Sequence, residues 1–366
     1  MADELYMKRV LHLARRGEAW VSPNPMVGCV IVKKGRIIGE GYHQRFGGNH
    51  AEINALRNAS EPVRGATIYV NLEPCTHYGK TPPCIESIIA AKPRRVVIGT
   101  ADPNPVVAEK GVEALKTRGI KTRVGVLEEE CRDLNERFFK FMLTGIPFVT
   151  VKFAQSIDGR IATASGHSRW ISSEQSLRFA HALRSHHDAV LIGSGTLMKD
   201  DPELTVRLLK GRNPVRVVVD SHLRISPDAS ILKNQDESKT IVATTMRASS
   251  ERRARLADLG IEVLIVDTDK DRRVDLTRLL FELGRRNISS VLVEGGAAVI
   301  TAMLTEQLAD RVVIIIAPRI MGKGVESIGD LEIKSVDESI RLSYGSIRRL
   351  GDDLVIDGRI ERKTLR

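Results

Sequence analysis

Nowhere in the sequence do about 18 apolar residues run together, the length a helix needs to cross a bilayer, so no membrane span is expected. Cysteine is scarce: Cys29, Cys75, Cys84 and Cys131 are the only four in 366 residues. So few thiols, two of them standing alone, do not make a secreted disulfide framework and suit a reducing cytoplasm. A signal peptide is not expected either, because Met1-Ala2-Asp3-Glu4 is acidic and runs into a helical pattern. Together these point to a cytoplasmic protein. Basic blocks are also missing. The net charge of +10 divides into +6 before Gly145 and +4 after it, with no basic run longer than a couple of residues. A nucleic-acid binder concentrates its charge on one stripe, so the diffuse excess favours a small anionic substrate over nucleic acid.

What is present is chain enough for two domains, each with its own core. A helix expected over 128–143 stops at Thr144-Gly145-Ile146-Pro147, which sets domains of 1–145 and 146–366. In the first, helical spacing over 4–17 leads to Ser22-Pro23-Asn24-Pro25, then to strands over 27–32 and 37–41 that form a hairpin. Helices are expected at 51–59, from Cys84 onward and at 111–118, and strands at 66–70, 95–99 and 123–126. Strands alternating with helices after an opening hairpin predict an α/β sheet covered on both faces. The second half predicts strands at 148–152, 189–193, 215–220, 240–244, 262–266, 290–293 and 311–317. Helices at 174–186, 251–259, 275–286 and 297–306 separate several of them, giving a second α/β domain.

One constellation carries chemistry. His50-Ala51-Glu52 is answered by Pro74-Cys75 and then Cys84, supplying an imidazole, two thiolates and a carboxylate. Three ligands beside a carboxylate have the composition of a catalytic zinc centre, since a structural zinc closes with four protein ligands. Both halves of the pattern fall at strand-to-helix junctions, the edge of an α/β sheet where ligands bind. Helix N-termini there also stabilise thiolates. One condition applies: residues i and i+2 lie about 200° apart on a regular helix. His50 and Glu52 therefore serve one site only if the helix begins there. Zinc would lower the pKa of a bound water to about 7. Glu52 could then carry a proton to a ring nitrogen and on to a leaving amine, as hydrolytic deamination of an amino-pyrimidine requires. A His-Ala-Glu triplet by itself is ordinary surface helix; the combination is specific.

His50-Ala51-Glu52 with Pro74-Cys75 resembles the zinc-dependent cytidine-deaminase superfamily. The usual signature ends Pro-Cys-x-x-Cys, whereas eight residues, Thr-His-Tyr-Gly-Lys-Thr-Pro-Pro, separate Cys75 from Cys84 here. That loop, with Pro-Asn-Pro-Met-Val-Gly from Pro23 to Gly28 and Asp-Pro-Asn-Pro from Asp102 to Pro105, resembles the deaminase half of the bifunctional riboflavin-biosynthesis deaminase–reductases. The resemblance implies zinc (Zn2+) held by His50, Cys75 and Cys84, with Glu52 as proton shuttle. It implies a substrate pocket of Asn24, His43, Lys80, Asp102 and Asn104, in which Lys80 offers a point charge to a phosphate. Asp102 and Asn104 read equally as turn residues beside prolines, and His77 as a loop residue rather than a fourth ligand.

The second half lacks Gly-x-Gly-x-x-Gly: Met198 stands where the third glycine after Gly193 and Gly195 would be, against a Rossmann reading. It holds no second zinc motif. Val293-Glu294-Gly295-Gly296 lies between a strand and a helix, where bare N–H groups receive a phosphate or glycine simply makes the turn. Lys152 with Asp158-Gly159, Gly193 to Thr196, Asp200 to Arg207, and Glu294 to Gly296 resemble the reductase half of the same family. A dihydrofolate-reductase-like fold and NADPH are implied. Cofactor contacts would come from Ala154, Trp170, Thr196, Asp200, Ser221 and Gly296 onward, and substrate contacts from Ser168, Arg184, Leu204, Arg207 and Glu294. Lys152 would lie near the reacting sugar carbon, as proton donor or as orienting group. The arginines suit a ribose phosphate through bidentate donors.

The expected protein is thus a two-step enzyme of riboflavin synthesis acting on a small pyrimidine ribosyl-phosphate, without nucleic-acid or membrane partners and assembled as a homo-oligomer. The tail from Glu361 to Arg366 is expected to be disordered. Two rivals make different demands. A nucleic-acid or nucleoside deaminase needs two residues between its cysteines and concentrated basic charge. A zinc-stabilised binding module needs a fourth protein ligand and leaves Glu52 without a role.

Overall fold

The computed structural model describes residues 2–79, 81–104 and 108–361, so Lys80, Pro105 and the tail after Glu361 lie outside the described residues. The chain folds as two compact units, Met1–Gly145 and Ile146–Arg366.

The first unit opens with α1 (Ala2–Arg15) and the hairpin β1 (Gly28–Lys33) and β2 (Arg36–Tyr42). Then come α2 (Ala51–Arg57), β3 (Thr67–Leu72), α3 (Cys84–Ala91), β4 (Arg95–Thr100), α4 (Lys110–Thr117), β5 (Lys121–Val124), α5 (Glu128–Leu134) and α6 (Glu136–Thr144). The sheet runs β2-β1-β3-β4-β5, antiparallel as far as β3 and parallel beyond it. Along central β3 every residue is buried, as a strand covered on both faces must be. Ile68 and Val70 pack with Ala51, Ala55, Ile85, Ile88 and Leu115 under α2, α3 and α4. Tyr69, pointing the other way, packs with Met7, Val10, Leu11 and Cys131 of α1 and α5. The helix expected over 128–143 is two helices. Asn135, buried between them, donates to the Met26 carbonyl at 2.9 Å and accepts from the Met26 amide at 2.8 Å.

The second unit contains β6 (Phe148–Ser156), β7 (Arg160–Thr163), α7 (Glu174–His186), β8 (Ala189–Gly193), α8 (Ser194–Asp200), β9 (Val215–Val219), β10 (Thr240–Thr244), α9 (Ser250–Asp258) and β11 (Glu262–Ile265). It continues with α10 (Leu276–Arg285), β12 (Ser290–Val293), α11 (Ala297–Thr305), β13 (Arg311–Ala317), β14 (Gly324–Glu326), β15 (Leu342–Leu350) and β16 (Asp353–Ile360). Nine strands form one sheet in the order β11-β10-β9-β8-β12-β6-β13-β16-β15. It is parallel from β11 to β13 and antiparallel through β16 and β15. Successive residues alternate between two cores: Leu191 and Val293 face Leu279, Leu283 and Met303, while Val190 and Leu292 face Leu183, Leu197 and Leu256. From β8 the chain winds outward to β9, β10 and β11, and β12 returns to its other side. The ends of β8 and β12 therefore form the topological switch point where such sheets bind ligands. Among the described residues β7 pairs with β14 alone, in a separate two-stranded ribbon.

Candidate functional sites

The start of α2 meets the condition the sequence set. His50 is its N-cap, in extended backbone (φ −71°, ψ 165°), and Glu52 lies in its first turn. Neither side chain is bound by regular helical spacing to the other. Nδ1 of His50 stands 3.5 Å from the Cys75 sulphur and 3.2 Å from the Cys84 sulphur. All three ligand atoms fall within 4.8 Å of one another. Tetrahedral zinc with bonds of about 2.1 Å to nitrogen and 2.3 Å to sulphur sets such atoms about 3.6 Å apart, so the donor set fits the ion. Among the described residues no fourth His, Cys, Asp or Glu joins the group, and His77 stays outside it. A coordination position is thereby left for water or substrate.

Cys84 begins α3 because Pro83, its N-cap, holds extended backbone and needs no amide partner. The Cys84 amide donates to the Cys75 sulphur at 3.3 Å, and the Ile85 amide to the Cys75 carbonyl at 3.2 Å. Hydrogen bonding from Cys84, and then from His50, holds the Cys75 thiol below its ordinary value and favours its thiolate. The same contact with Cys75, together with burial, pushes the Cys84 thiol up. Glu52 is almost wholly buried, and burial followed by the Cys75 charge pushes its carboxyl up to about 7. That suits a group which must both take and return a proton near neutrality. On the far side of the His50 ring, Nε2 lies 3.4 Å from Thr81 Oγ1, a partner that helps hold the ring's orientation. Thr81 belongs to the loop that carries the resemblance, but the sequence assigned it no role.

Around this cluster the structure gathers several of the expected pocket residues. His43 Nδ1 lies 3.0 Å from the Asn49 carbonyl, which can only accept, so Nδ1 carries the proton and Nε2 receives the Asn24 amide at 3.2 Å. Burial keeps that imidazole below its ordinary value, hence neutral. Its ring meets His50 edge-on, with centroids 5.3 Å apart. Asp102 accepts from the Asn104 amide at 2.8 Å, the turn bond expected of such a pair, and burial raises its carboxyl. The organiser of this corner escaped the sequence reading. Glu73, buried just before Pro74-Cys75, accepts from the amides of Asp102 (3.2 Å), Glu109 (3.0 Å), Gly111 (2.9 Å) and Val112 (3.1 Å). It ties the end of β3 to the start of α4.

In the second unit a cleft of about 380 Å³ opens at the switch point. Lys152, Ala154, Ser168, Thr196, Asp200, Glu294 and Gly296 line it, as does Lys199, which the sequence did not mark. Glu294 is clasped by Arg184 through two bonds of 2.7 and 3.0 Å, and Lys152 Nζ stands 3.8 Å away. Burial works to raise the Glu294 carboxyl, but the two cations prevail and hold it at about 2. Burial in turn lowers the Lys152 amine. Arg184 also donates to the Thr205 carbonyl at 3.2 Å, and His181, one turn earlier on α7, accepts from the Arg207 amide at 3.0 Å. These bonds fix the 204–207 segment. Leu204 is buried in the apolar core with left-handed backbone (φ 55°), so it can offer a substrate only main-chain groups.

Thr196 Oγ1 accepts from the Gly296 amide at 2.8 Å, and a Cβ on Gly295 would lie 2.6 Å from the Ile192 Cα. Close approach of the β8 and β12 ends explains that glycine, and the Gly296 amide is already engaged. Trp170 and Ser221 do not line this cleft: Trp170 is exposed, and the Ser221 hydroxyl, at the end of β9, accepts from the Val274 amide at 3.0 Å.

Known families match each unit. The cytidine and deoxycytidylate deaminase zinc-binding region matches residues 1–100, and the RibD C-terminal domain matches residues 147–356. Riboflavin biosynthesis protein RibD of Aquifex aeolicus is 45% identical over 97% of this chain and 97% of its own. That of Escherichia coli is 40% identical over 97% of this chain and 99% of its own. The chain belongs to the RibD family of riboflavin biosynthesis proteins. RibD from Acinetobacter baumannii superposes with a TM-score of 0.89 at 37% identity, covering 99% of both chains. A deaminase/reductase from Thermotoga maritima gives 0.86 at 39% identity, covering 98% of this chain and 99% of its own. As a RibD protein it is a bifunctional deaminase and reductase of riboflavin biosynthesis. Its folds are those expected, cytidine-deaminase-like first and dihydrofolate-reductase-like second. Among the described residues no helix is long and apolar enough to cross a membrane.

Proposed function

We propose that residues 1–145 hydrolytically deaminate 2,5-diamino-6-ribosylamino-4(3H)-pyrimidinone 5′-phosphate. Residues 146–366 then use NADPH to reduce the ribosyl chain of 5-amino-6-(5-phosphoribosylamino)uracil to ribityl. The Thermotoga relative is named as a deaminase and reductase of these two steps, which supports the assignment. The observation that carries it is a three-ligand cluster beside the buried carboxyl of Glu52.

His50, Cys75 and Cys84 would hold zinc, which when bound makes a water acidic enough to attack a ring carbon at neutral pH. Glu52 would carry two protons in turn: the first from that water to the ring nitrogen, the second from the hydroxyl newly bound to the ring carbon to the amino group, which leaves as ammonia as the carbonyl forms. Neutral His43, tied to Asn24, gives the pocket wall a fixed pattern of donor and acceptor for a polar heterocycle. Lys80, outside the described residues, is assigned to the substrate phosphate. Asp102 and Asn104 complete this wall.

In the reductase, NADPH supplies the hydride. Opening the ribose ring leaves an oxygen that needs a proton, and Lys152, which lines the cleft beside Glu294, would give it or orient the sugar for its transfer. Arg184 keeps Glu294 charged so that Lys152 retains its counter-ion. Arg207 and Ser168 are assigned to the sugar phosphate, Leu204 to main-chain contact, and Ala154, Thr196, Asp200 and Gly296 to the dinucleotide, with Trp170 and Ser221 further along it. Lys199, with no carboxylate partner among the described residues, adds a positive charge that a dinucleotide phosphate can use.

The deciding experiment is Glu52→Gln. Ammonia release from the diamino substrate should stop while zinc content and NADPH oxidation with the deaminated substrate persist. Persistent ammonia release, or loss of both activities with the zinc retained, would refute the assignment.

A further inference from the structure

Asp158-Gly159 stood out in the sequence, yet neither reaction above uses it, and Asp158 does not line the cleft. It occupies the turn between β6 and β7, where its carboxylate is the centre of a lock. It accepts from the Ser156 hydroxyl at 2.5 Å, the Gly322 amide at 2.7 Å and the Met321 amide at 3.1 Å. Ser156 Oγ in turn accepts from the Arg160 amide at 3.0 Å. Arg160 crosses the same gap, donating through Nε to the Gly322 carbonyl at 2.9 Å and through Nη1 to Glu326 at 2.7 Å. The Ser327 amide donates to the Gly159 carbonyl at 3.1 Å. Every one of these bonds holds the turn at 156–160 together or joins it to the strap at 321–327.

Turn and strap lead into the ribbon of β7 and β14, which is three residue pairs long and irregular between Val325 and Glu326. A two-stranded ribbon so short is not stable by itself. Its strands also approach closely, for a Cβ on Gly324 would sit 2.3 Å from the Ala162 carbonyl. Ile161, Ala162 and Val325 of this ribbon line the cleft that holds Lys152, Glu294 and Thr196. Part of the wall thus rests on an element whose order comes from outside it. Hydrogen bonds to a carboxylate are roughly twice as strong as neutral ones, so the Asp158 bonds dominate that order. The same donors, Ser156 foremost, hold the carboxyl down at about 2, so it stays charged throughout the working range.

We propose that Asp158 is a positioning residue of the reductase: by locking the strap onto the turn it sets the ribbon wall against which the dinucleotide lies. This rests on the reading of the second unit as an NADPH-dependent reductase. The test is Asp158→Asn in the full chain, which keeps the volume but turns one acceptor into a donor facing amide donors. We expect the NADPH Kd and KM to rise about tenfold, with kcat changed less than about threefold. Amide exchange should quicken at 160–163 and 321–326 but not in β8 or β12, and ammonia release should hold. Unchanged NADPH affinity, or unchanged exchange in the ribbon, would overturn the proposal.

Should Asp158→Asn raise exchange throughout the unit, Ser156→Ala decides, since it removes one of the three donors and leaves the charge. Faster ribbon exchange and an NADPH Kd about threefold higher support the lock, and wild-type values sink it. If the wild-type protein binds no NADPH, the assignment of the second unit fails instead, and ribbon exchange in the two variants still decides whether the lock exists.

Discussion

Glu294 and His181 answer the same surroundings in opposite ways. The buried carboxylate stays charged because Arg184 and Lys152 outweigh its burial. The buried imidazole stays neutral, at about 4, because burial and the charges of Arg184 and Arg207 all oppose a proton. The sign for stability follows. Between pH 6.5 and 4 the unfolded chain binds a proton at His181 that the folded chain refuses, so stability is full above 6.5 and drains as the pH falls. His181→Asn keeps an acceptor for the Arg207 amide and should flatten that fall, by about 2 kcal/mol at most, in urea unfolding followed at pH 4.5 and 7. Glu294→Gln leaves two cations in the interior without their carboxylate. It should cost about 3–5 kcal/mol and stop NADPH oxidation while ammonia release continues.

At the scale of elements, the deaminase centre depends on how closely α2 lies on β2. A Cβ at Gly41 would stand 2.3 Å from the Ala55 amide nitrogen and 2.4 Å from the Ala51 carbonyl. Gly41→Ala should lift the helix that carries Glu52 and begins at His50, at about 1–3 kcal/mol of overpacking. Bound zinc per chain and ammonia release should fall together, which metal analysis beside the ammonia assay will show.

Elements of this kind were legible where burial writes a pattern. The apolar runs of β3, β8 and β12, and the helix over 174–186, stand where the sequence put them. Those it did not show are set by contacts from elsewhere. α8 opens on Gly193-Ser194-Gly195, which no propensity would make a helix, and takes its place by packing Leu197 into the core. β15 is a mostly exposed edge strand with no alternation to read. His50, Cys75, Cys84 and Glu52 were legible because their chemistry is rare in combination. Glu73 and Thr81 were not, because an acid or a hydroxyl becomes an organiser only when distant amides or a ring arrive beside it.

The whole molecule is two enzymes on one chain, and each unit carries its own core and its own ligand edge. Stripping zinc with a chelator should therefore abolish ammonia release and leave NADPH oxidation within about twofold, and added zinc should restore the first activity. The clasp at Met26 bears on how the first enzyme comes into being. Met26 is gripped by Asn71 as well as by Asn135, and it neighbours the stretch that carries Asn24. His50, Cys75 and Cys84, the group that could hold a metal, precede residue 100, where the matched zinc-binding region ends, whereas Asn135 lies well beyond it. As the polypeptide is synthesised, His50, Cys75 and Cys84 are made before the residue that clasps Met26. A fragment cut after residue 100 would keep His50, Cys75 and Cys84 but lose both the α4 amides that hold Glu73 beside Cys75 and the Asn135 clasp on Met26.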